Sequence, residues 1–94
     1  MVKLKKKLHI LYTGRVQGVG FRYTVLEIAR DLQVCGWVKN LADGGVELMA
    51  EDQEEVLKDF LLRINRYFNP YIQDTDVQWL AATGEFKAFE IKFY

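Results

Sequence analysis

The feature of this sequence that most restricts its fold is a glycine-rich loop that joins an apolar segment to a helical pattern. The loop, Gly14–Arg22, contains three glycines, an arginine near each end and no acidic residue. The alternating run from Leu8 to Tyr12 predicts a strand before the loop, and apolar residues at helical spacing predict a helix after it. Because glycine allows tight turns and the first N–H groups of a helix have no partner inside it, this order predicts an anion-binding site.

The side chains of the loop support this interpretation. The segment Arg15–Arg22 has no Ser, Thr, Asp or Asn, the residue types that accept hydrogen bonds from the first turn of a helix. The helical pattern places Arg22 in that first turn, where a cation is mildly unfavourable beside the positive end of the helix dipole. An anion held between the guanidinium and the backbone N–H groups would explain both observations.

Two common phosphate-binding loops are excluded by their spacing. A Walker loop requires a second glycine five residues after the first, but Val19 lies five residues after Gly14. A dinucleotide-binding fingerprint that begins at Gly18 requires its third glycine where this chain has Tyr23. The loop therefore belongs to neither of these classes.

The length and composition indicate one small globular domain that spans residues 1–94. Half of the residues are hydrophobic and 13 acidic residues balance 13 basic ones, so net charge favours no class of partner. The lysines of residues 1–7 predict a basic N-terminal tail. A single cysteine, Cys35, and the lack of a long apolar segment predict a cytoplasmic protein without a membrane helix. The single histidine, His9, lies on the more polar side of the first strand and has no predicted role.

The rest of the chain alternates between strand and helix patterns. The segments Gly36–Asn40 and Val46–Glu51 flank an Asp-Gly turn signal and predict a hairpin. A second helix is expected to follow, with Asp52 as its N-cap and Glu55 completing a capping box. Residues 69–75 are expected to form a loop.

Two extended patterns complete the chain and define the predicted fold. The segment Asp76–Leu80 predicts a short extra strand near the last strand, Phe86–Phe93. In the last strand, the residues expected to face the core are Phe89, Ile91 and Phe93. The complete order predicts an α+β fold, the ferredoxin-like α/β sandwich (βαββαβ), with a four-stranded antiparallel sheet plus the short extra strand and two helices on one face.

Two separate motifs resemble the signatures of the acylphosphatases. The first comprises Gly14, the run Val16-Gln17-Gly18-Val19 and the closing pair Phe21-Arg22. The second comprises the run Gly36-Trp37-Val38-Lys39-Asn40, followed by Gly44 and Val46. The resemblance extends from about Leu8 to the end of the chain and implies the same ferredoxin-like fold.

Two positions depart from the family pattern. Asp52 stands where the family usually has a glycine, and Gln33 stands where many members have a glycine between the first helix and the next strand. Helices commonly end in a left-handed residue at such a position. If Gln33 is left-handed, that conformation costs about 1 kcal/mol more than it would cost a glycine.

The resemblance implies an enzyme that hydrolyses acyl phosphates, which are carboxylic–phosphoric mixed anhydrides, to a carboxylate and inorganic phosphate. By the same resemblance, Arg22 binds the phosphoryl group and Asn40 positions the attacking water. The other loop residues expected to bind the substrate are Arg15, Val16, Gln17, Gly18, Val19, Gly20 and Phe21. For Arg15, a second phosphate contact and a solvated position are equally compatible with the sequence.

The expected partners follow from this interpretation. No group of Cys, His, Asp or Glu residues has metal-ligand spacing, so no metal or other cofactor is expected. The expected ligands are a small-molecule acyl phosphate as substrate and inorganic phosphate as product and inhibitor. The protein is expected to be a monomer that binds neither nucleic acid nor a membrane.

Two other functions are kept as alternatives. The first is a non-catalytic module that binds phosphate or another anion and serves regulation. The second is RNA binding through aromatic residues on the open face of a ferredoxin-like sheet. On that face the third strand offers Glu47, Met49 and Glu51 rather than aromatic residues, which argues against RNA binding. The presence of both Arg22 and Asn40 favours the enzyme over a binding module.

Overall fold

Residues 4–93 are described by a computed structural model and form two helices and five strands. In chain order these are β1 (Lys5–Gly14), α1 (Phe21–Leu32), β2 (Cys35–Asn40), β3 (Val46–Gln53), α2 (Glu54–Phe68), β4 (Ile72–Ala81) and β5 (Phe89–Lys92). Within this part of the chain, neither helix has the length and apolar character that crossing a membrane would require.

The five strands form one sheet in the order β4-β1-β3-β2-β5. The first four strands in this order are antiparallel to their neighbours, whereas β5 lies parallel to β2 at one edge. The antiparallel set β4-β1-β3-β2, connected through α1 and α2, is the arrangement of the ferredoxin-like fold. The predicted α+β fold class is therefore confirmed.

The fourth antiparallel strand is not the one that the sequence predicts. The expected loop is right for residues 69–71 only, and the short strand beside the last strand is wrong. The reason is that β4 is a ten-residue strand that begins at Ile72 and pairs with β1. The last strand, β5, has four residues and is the added strand instead. β4 is an edge strand without a buried residue, so its sequence lacks the alternation that marks a half-buried strand.

The core lies between the sheet and the helices. Alternate residues of β1 and β3 face the helices, and one stripe of each helix faces the sheet. The buried residues include Leu8, Ile10 and Tyr12 of β1, Val46, Leu48 and Ala50 of β3, Val25, Ile28 and Ala29 of α1, and Leu57, Phe60 and Ile64 of α2. Burial also raises the pKa of Tyr12 far above its usual value.

The last strand is only partly in the core. Phe89 is buried and Ile91 packs against the core, as predicted. Phe93 is 71% exposed, so its predicted place in the core is wrong. The reason is that β5 ends at Lys92, one residue before Phe93.

The predicted capping box at the start of α2 is also wrong. Asp52 lies within β3, and its carboxylate accepts a hydrogen bond from the N–H group of Gln53 at 2.7 Å. The N-cap is Gln53, whose side chain makes no capping hydrogen bond. The pairing of Gln53 with Lys5 of β1 extends β3 and thereby delays the start of the helix.

The basic residues at the N-terminus are not all part of a tail. β1 begins at Lys5, and Lys7 is buried. The predicted tail of residues 1–7 is therefore wrong for residues 5–7, because the pairing of β1 with β3 reaches Lys5. The first three residues of the predicted tail lie outside the described residues.

The end of α1 has the predicted left-handed residue. Gln33 has φ 58° and ψ 35°, and it is the one non-glycine residue with positive φ among residues 4–93. The N–H groups of Gln33 and Val34 donate to the carbonyls of Arg30 and Ala29 at 3.2 and 2.8 Å. These bonds satisfy carbonyls at the helix end, as such caps commonly do.

Candidate functional site

The ends of β1 and β2 and the start of α1 meet at one end of the sheet. Both strands pair antiparallel with β3, so they run in the same direction, and Val46 of β3 lies opposite both Tyr12 and Asn40. The loop that leaves β1 therefore begins beside the residue that ends β2. Because α1 starts at Phe21, directly after this loop, the fold brings the two sequence motifs together.

Two loop glycines adopt a backbone conformation that other residues rarely take. Gly18 and Gly20 have φ values of 78° and 79°, in the left-handed region that glycine enters without steric cost. Apart from its chain neighbours, no described atom lies within 4 Å of a Cβ built at either position. The backbone conformation therefore requires these glycines, and the space beside them is open.

The backbone N–H groups of residues 16–23 have no acceptor in the described part of the chain. Gly20 is the N-cap of α1 and makes no side-chain cap hydrogen bond, and the first turn has no acidic residue. Between residues 16 and 23, no N–H group donates to an acceptor of residues 4–93, whereas those of Arg15 and Thr24 donate to the carbonyls of Tyr71 and Gly20. Unpaired N–H groups at the positive end of a helix dipole suit an anion.

A cavity of about 260 Å³ opens beside these N–H groups. The residues that line it are Val16, Gly18, Gly20, Phe21, Arg22, Tyr23 and Asn40. Arg22 and Asn40 come from the two different motifs, and the fold places both in this one cavity. Three predicted site residues, Arg15, Gln17 and Val19, do not line it.

The three predicted residues outside the lining have other surroundings. The side-chain nitrogen of Gln17 donates to the carbonyls of Leu41 and Gly45, both at 2.8 Å, and so ties the loop to the turn between β2 and β3. Val19 is partly buried and packs against the core. Arg15 is exposed. The sequence motif does not distinguish these residues from the lining, because a side chain's hydrogen bond to a distant turn leaves no local signal.

Asn40 lines the cavity and carries a buried acceptor. Its Oδ1 atom is buried and accepts no hydrogen bond from residues 4–93. Along β2, Asn40 continues the alternation of buried Gly36 and Val38, so its side chain lies on the side of the sheet that faces the helices. A buried amide oxygen without a donor is unfavourable. A water molecule in the cavity would supply that donor.

Arg22 brings a positive charge to the cavity without a carboxylate partner among residues 4–93. The ring of Phe93 lies over its guanidinium, with 5.2 Å between the ring centroid and Cζ. Tyr23, which is 58% exposed, stands beside it in the lining. Neither aromatic residue was predicted from the sequence to belong to the site. Tyr23 could have been found as the neighbour of Arg22, but the position of Phe93 depends on strand pairing.

The site has no metal-binding group among the described residues. Within residues 4–93, no three or more His, Cys, Asp or Glu side chains are grouped so that they could hold a metal ion. His9 lies on the face of the sheet away from the helices, where its Nε2 atom is 2.7 Å from a carboxylate oxygen of Glu47. What the cavity offers a ligand is a set of hydrogen-bond donors and one guanidinium.

This combination of fold and cavity defines a small α+β domain with a loop of unpaired hydrogen-bond donors. The Acylphosphatase family model matches residues 8–91. The chain therefore belongs to the acylphosphatase family.

Individual relatives are similar to this chain over nearly their whole length. The chain is 38% identical over 89 residues to the acylphosphatase of Caldanaerobacter subterraneus subsp. tengcongensis, covering 94% of this chain and 99% of that relative. It is 46% identical over 81 residues to the acylphosphatase of Bacillus licheniformis, covering 86% and 88%. The crystal structure of acylphosphatase from Bacillus subtilis matches with a TM-score of 0.84 at 36% identity, covering 93% and 98%. These similarities favour the enzyme over the two alternatives.

Proposed function

We propose that this chain hydrolyses acyl phosphates to a carboxylate and inorganic phosphate. The observation that carries the proposal is one cavity in which Arg22 and Asn40 meet beside a run of unpaired N–H groups. The similar proteins named above are acylphosphatases, and this chain matches them over almost their entire length. Their activity suits a cavity whose donors are arranged for an anion.

The phosphoryl group is bound by the loop and by Arg22. Its equatorial oxygens accept hydrogen bonds from backbone N–H groups between residues 16 and 23, which have no other acceptor among the described residues. In phosphoryl transfer these oxygens carry much of the transition-state charge, so donors that are already in place stabilise the transition state. The planar guanidinium adds two parallel donors, a geometry that suits phosphate.

Asn40 orients the water that attacks phosphorus. Its buried Oδ1 atom accepts a hydrogen bond from the water and fixes the direction of the water's lone pair. The new bond forms between the water oxygen and phosphorus while the bond from phosphorus to the acyl oxygen breaks. The electron pair of the broken bond leaves with the carboxylate, and the protons of the water pass to the phosphate product and to solvent.

The chemistry requires little help from a general acid. A carboxylate is a good leaving group, so it departs without first being protonated. The proposed groups are a guanidinium, backbone N–H groups and one neutral amide oxygen, and a single such oxygen does not form a metal site. We therefore expect activity without an added metal ion.

The domain organisation, oligomeric state, location and ligands of the chain are part of the same proposal. Residues 1–94 act as a single acylphosphatase-like domain, monomeric and cytoplasmic, whose ligands are acyl phosphate and inorganic phosphate and not nucleic acid. The side chains of Glu47 and Met49, on the face of β3 away from the helices, support the last point because they offer a base no stacking partner. Glu51, on the same face, is buried.

The test is release of benzoate from benzoyl phosphate, followed in the presence and absence of EDTA. We expect turnover that EDTA leaves unchanged and that inorganic phosphate inhibits competitively. Loss of activity on chelation and its return with Mg²⁺ would contradict the proposed mechanism. Binding of phosphate without hydrolysis would instead indicate a non-catalytic module, and tight binding of RNA in a parallel titration would indicate the other alternative.

A thermal melt provides a second test of the site. Phosphate bound only by the native loop stabilises the fold by mass action, by about 2.7 kcal/mol when its concentration is a hundred times the dissociation constant. The melting temperature of the wild type should rise with phosphate and that of Arg22→Ala should not. An equal rise in both proteins would mean a nonspecific salt effect.

A further inference from the structure

Phe93 has surroundings that core packing does not explain. It is 71% exposed, although it continues the alternation of Phe89 and Ile91, which contact the core. Its ring lies over the guanidinium of Arg22, 5.2 Å from the ring centroid to Cζ. Its described contact is thus with the cation of the candidate site rather than with the core.

The parallel pairing of β5 explains how Phe93 reaches Arg22. Lys92 of β5 lies opposite Lys39 of β2, and the two strands run in the same direction. The next residues, Phe93 and Asn40, therefore both lie at the end of the sheet where α1 begins. Phe89 and Ile91 face the helices, and Phe93, two residues further on, reaches the first turn of α1 on that same side.

An aromatic ring affects a guanidinium differently from a carboxylate. The ring attracts the cation through its quadrupole without accepting its N–H hydrogen bonds in the way that a carboxylate does. The N–H donors of Arg22 therefore remain available to a phosphoryl group. The contact also restricts the long side chain, which would otherwise lose rotamer freedom when it binds the substrate.

We propose that Phe93 is a positioning residue that holds the guanidinium of Arg22 in the orientation that binds the phosphoryl group. This inference rests on the proposed role of Arg22 in the reaction. Phe93 itself does not line the cavity, so it acts through the arginine rather than on the substrate. Its removal weakens the binding of the phosphoryl group and of inorganic phosphate alike.

The experiment compares variants of Phe93 by calorimetry with inorganic phosphate and by steady-state kinetics with benzoyl phosphate. In Phe93→Ala, phosphate affinity and kcat/KM should each fall roughly three- to tenfold. Phe93→Leu keeps apolar bulk without a ring and should behave like Phe93→Ala. Phe93→Trp keeps a ring and should retain the wild-type constants. Wild-type constants in Phe93→Ala or Phe93→Leu, or impaired binding in a folded Phe93→Trp, would overturn the inference.

Phe86 provides a matched control, because its ring lies over another cation. The centroid of Phe86 is 5.3 Å from Nζ of Lys7, near the opposite end of the sheet. Phe86→Ala should leave phosphate affinity and kcat/KM unchanged, and an equal loss there would also overturn the inference. If the wild type fails to hydrolyse benzoyl phosphate, the proposed function is wrong, and calorimetry then decides the inference alone. If the wild type hydrolyses it and the ring has no effect, the inference alone is wrong.

Discussion

Backbone N–H groups and a cation meet at both ends of the sheet, but among residues 4–93 only one end carries an anion of its own. One end, which we call the closed end, is formed by Lys7, Glu51, Thr83 and Gly84. There Glu51 of β3 lies opposite Lys7 of β1, and its side chain is 5% exposed. Its carboxylate accepts hydrogen bonds from the N–H groups of Thr83 and Gly84 at 2.7 and 3.0 Å and lies 3.7 Å from Nζ of Lys7. Burial alone raises the pKa of Glu51, but these hydrogen bonds and the charge of Lys7 outweigh it, so the pKa lies below its usual range.

The open end, formed by residues 16–23 and Asn40, has the same kinds of donor without the carboxylate. Its N–H groups and the guanidinium of Arg22 have no anionic partner among residues 4–93. A binding site thus differs from a structural cluster in leaving its donors without an internal anion. At the closed end an internal anion satisfies the donors and attaches the segment before β5 to the sheet, whereas at the open end an internal anion would compete with the substrate.

The largest effect is expected from Arg22→Ala, which removes the cation of the open end. Phosphate affinity and turnover should both fall, with kcat/KM reduced by on the order of a hundredfold or more, because a preorganised charge is lost. Arg30 is a suitable control, since it lies in the last turn of the same helix. Arg30→Ala should keep wild-type kinetics. Equal losses of activity in the two variants would contradict the proposed role of Arg22 at the open end.

Asn40→Ala should separate binding from turnover at the open end. We expect kcat to fall by roughly a hundredfold while phosphate affinity stays nearly intact, because the amide orients the water and not the phosphoryl group. Kinetics and calorimetry on the same preparation measure the two quantities. Turnover at the wild-type level would remove Asn40 from its proposed role.

Glu51→Gln should weaken the closed end and spare the reaction. The variant replaces a buried carboxylate that accepts several hydrogen bonds, so the free energy of unfolding should fall by about 2 kcal/mol. Kinetic constants should not change, because the open end lies at the other end of the sheet. Glu85→Gln is the control, because Glu85 also pairs with Lys7 but its side chain is 56% exposed. This variant should lower the free energy of unfolding much less than Glu51→Gln does.

The variant Glu51→Gln also tests the pH dependence of stability. The pKa of Glu51 is lower in the folded protein than in the unfolded chain, where it is about 4.3. Its contribution is therefore complete above about pH 5 and disappears as the pH falls through the folded pKa. Urea melts should show a gap between wild type and Glu51→Gln that is constant near pH 7 and narrows below about pH 4. A gap that widens in acid would contradict the assignment.

The smallest effect is expected at Gln33, near the closed end of the sheet. Its left-handed conformation costs glutamine about 1 kcal/mol. Gln33→Gly should stabilise the protein by up to about that amount, less the entropy that glycine adds to the unfolded chain. Urea melts measure the gain, and kinetics should be unchanged. Destabilisation would mean that the helix cap depends on the glutamine side chain.

Local patterns predicted most of the open end, whereas strand pairing over long distances was not predicted. The strand, loop and helix around Gly18 and the left-handed Gln33 follow from short-range chemistry, and the structure has both. The place of β4 at the edge beside β1 and the parallel pairing of β5 depend on contacts between residues far apart in the chain. The position of Phe93 over Arg22 was therefore missed, because it follows from that pairing.

The most direct test of the difference between the two ends is a titration with inorganic phosphate followed in the amide ¹H–¹⁵N spectrum. We expect large, saturable shifts for the N–H groups of residues 16–23 and no shift for those of Thr83 and Gly84, which already donate to Glu51. The shifts should be absent in Arg22→Ala. Saturable shifts centred on residues outside the open end, or the same shifts in wild type and variant, would contradict the proposed difference between the two ends.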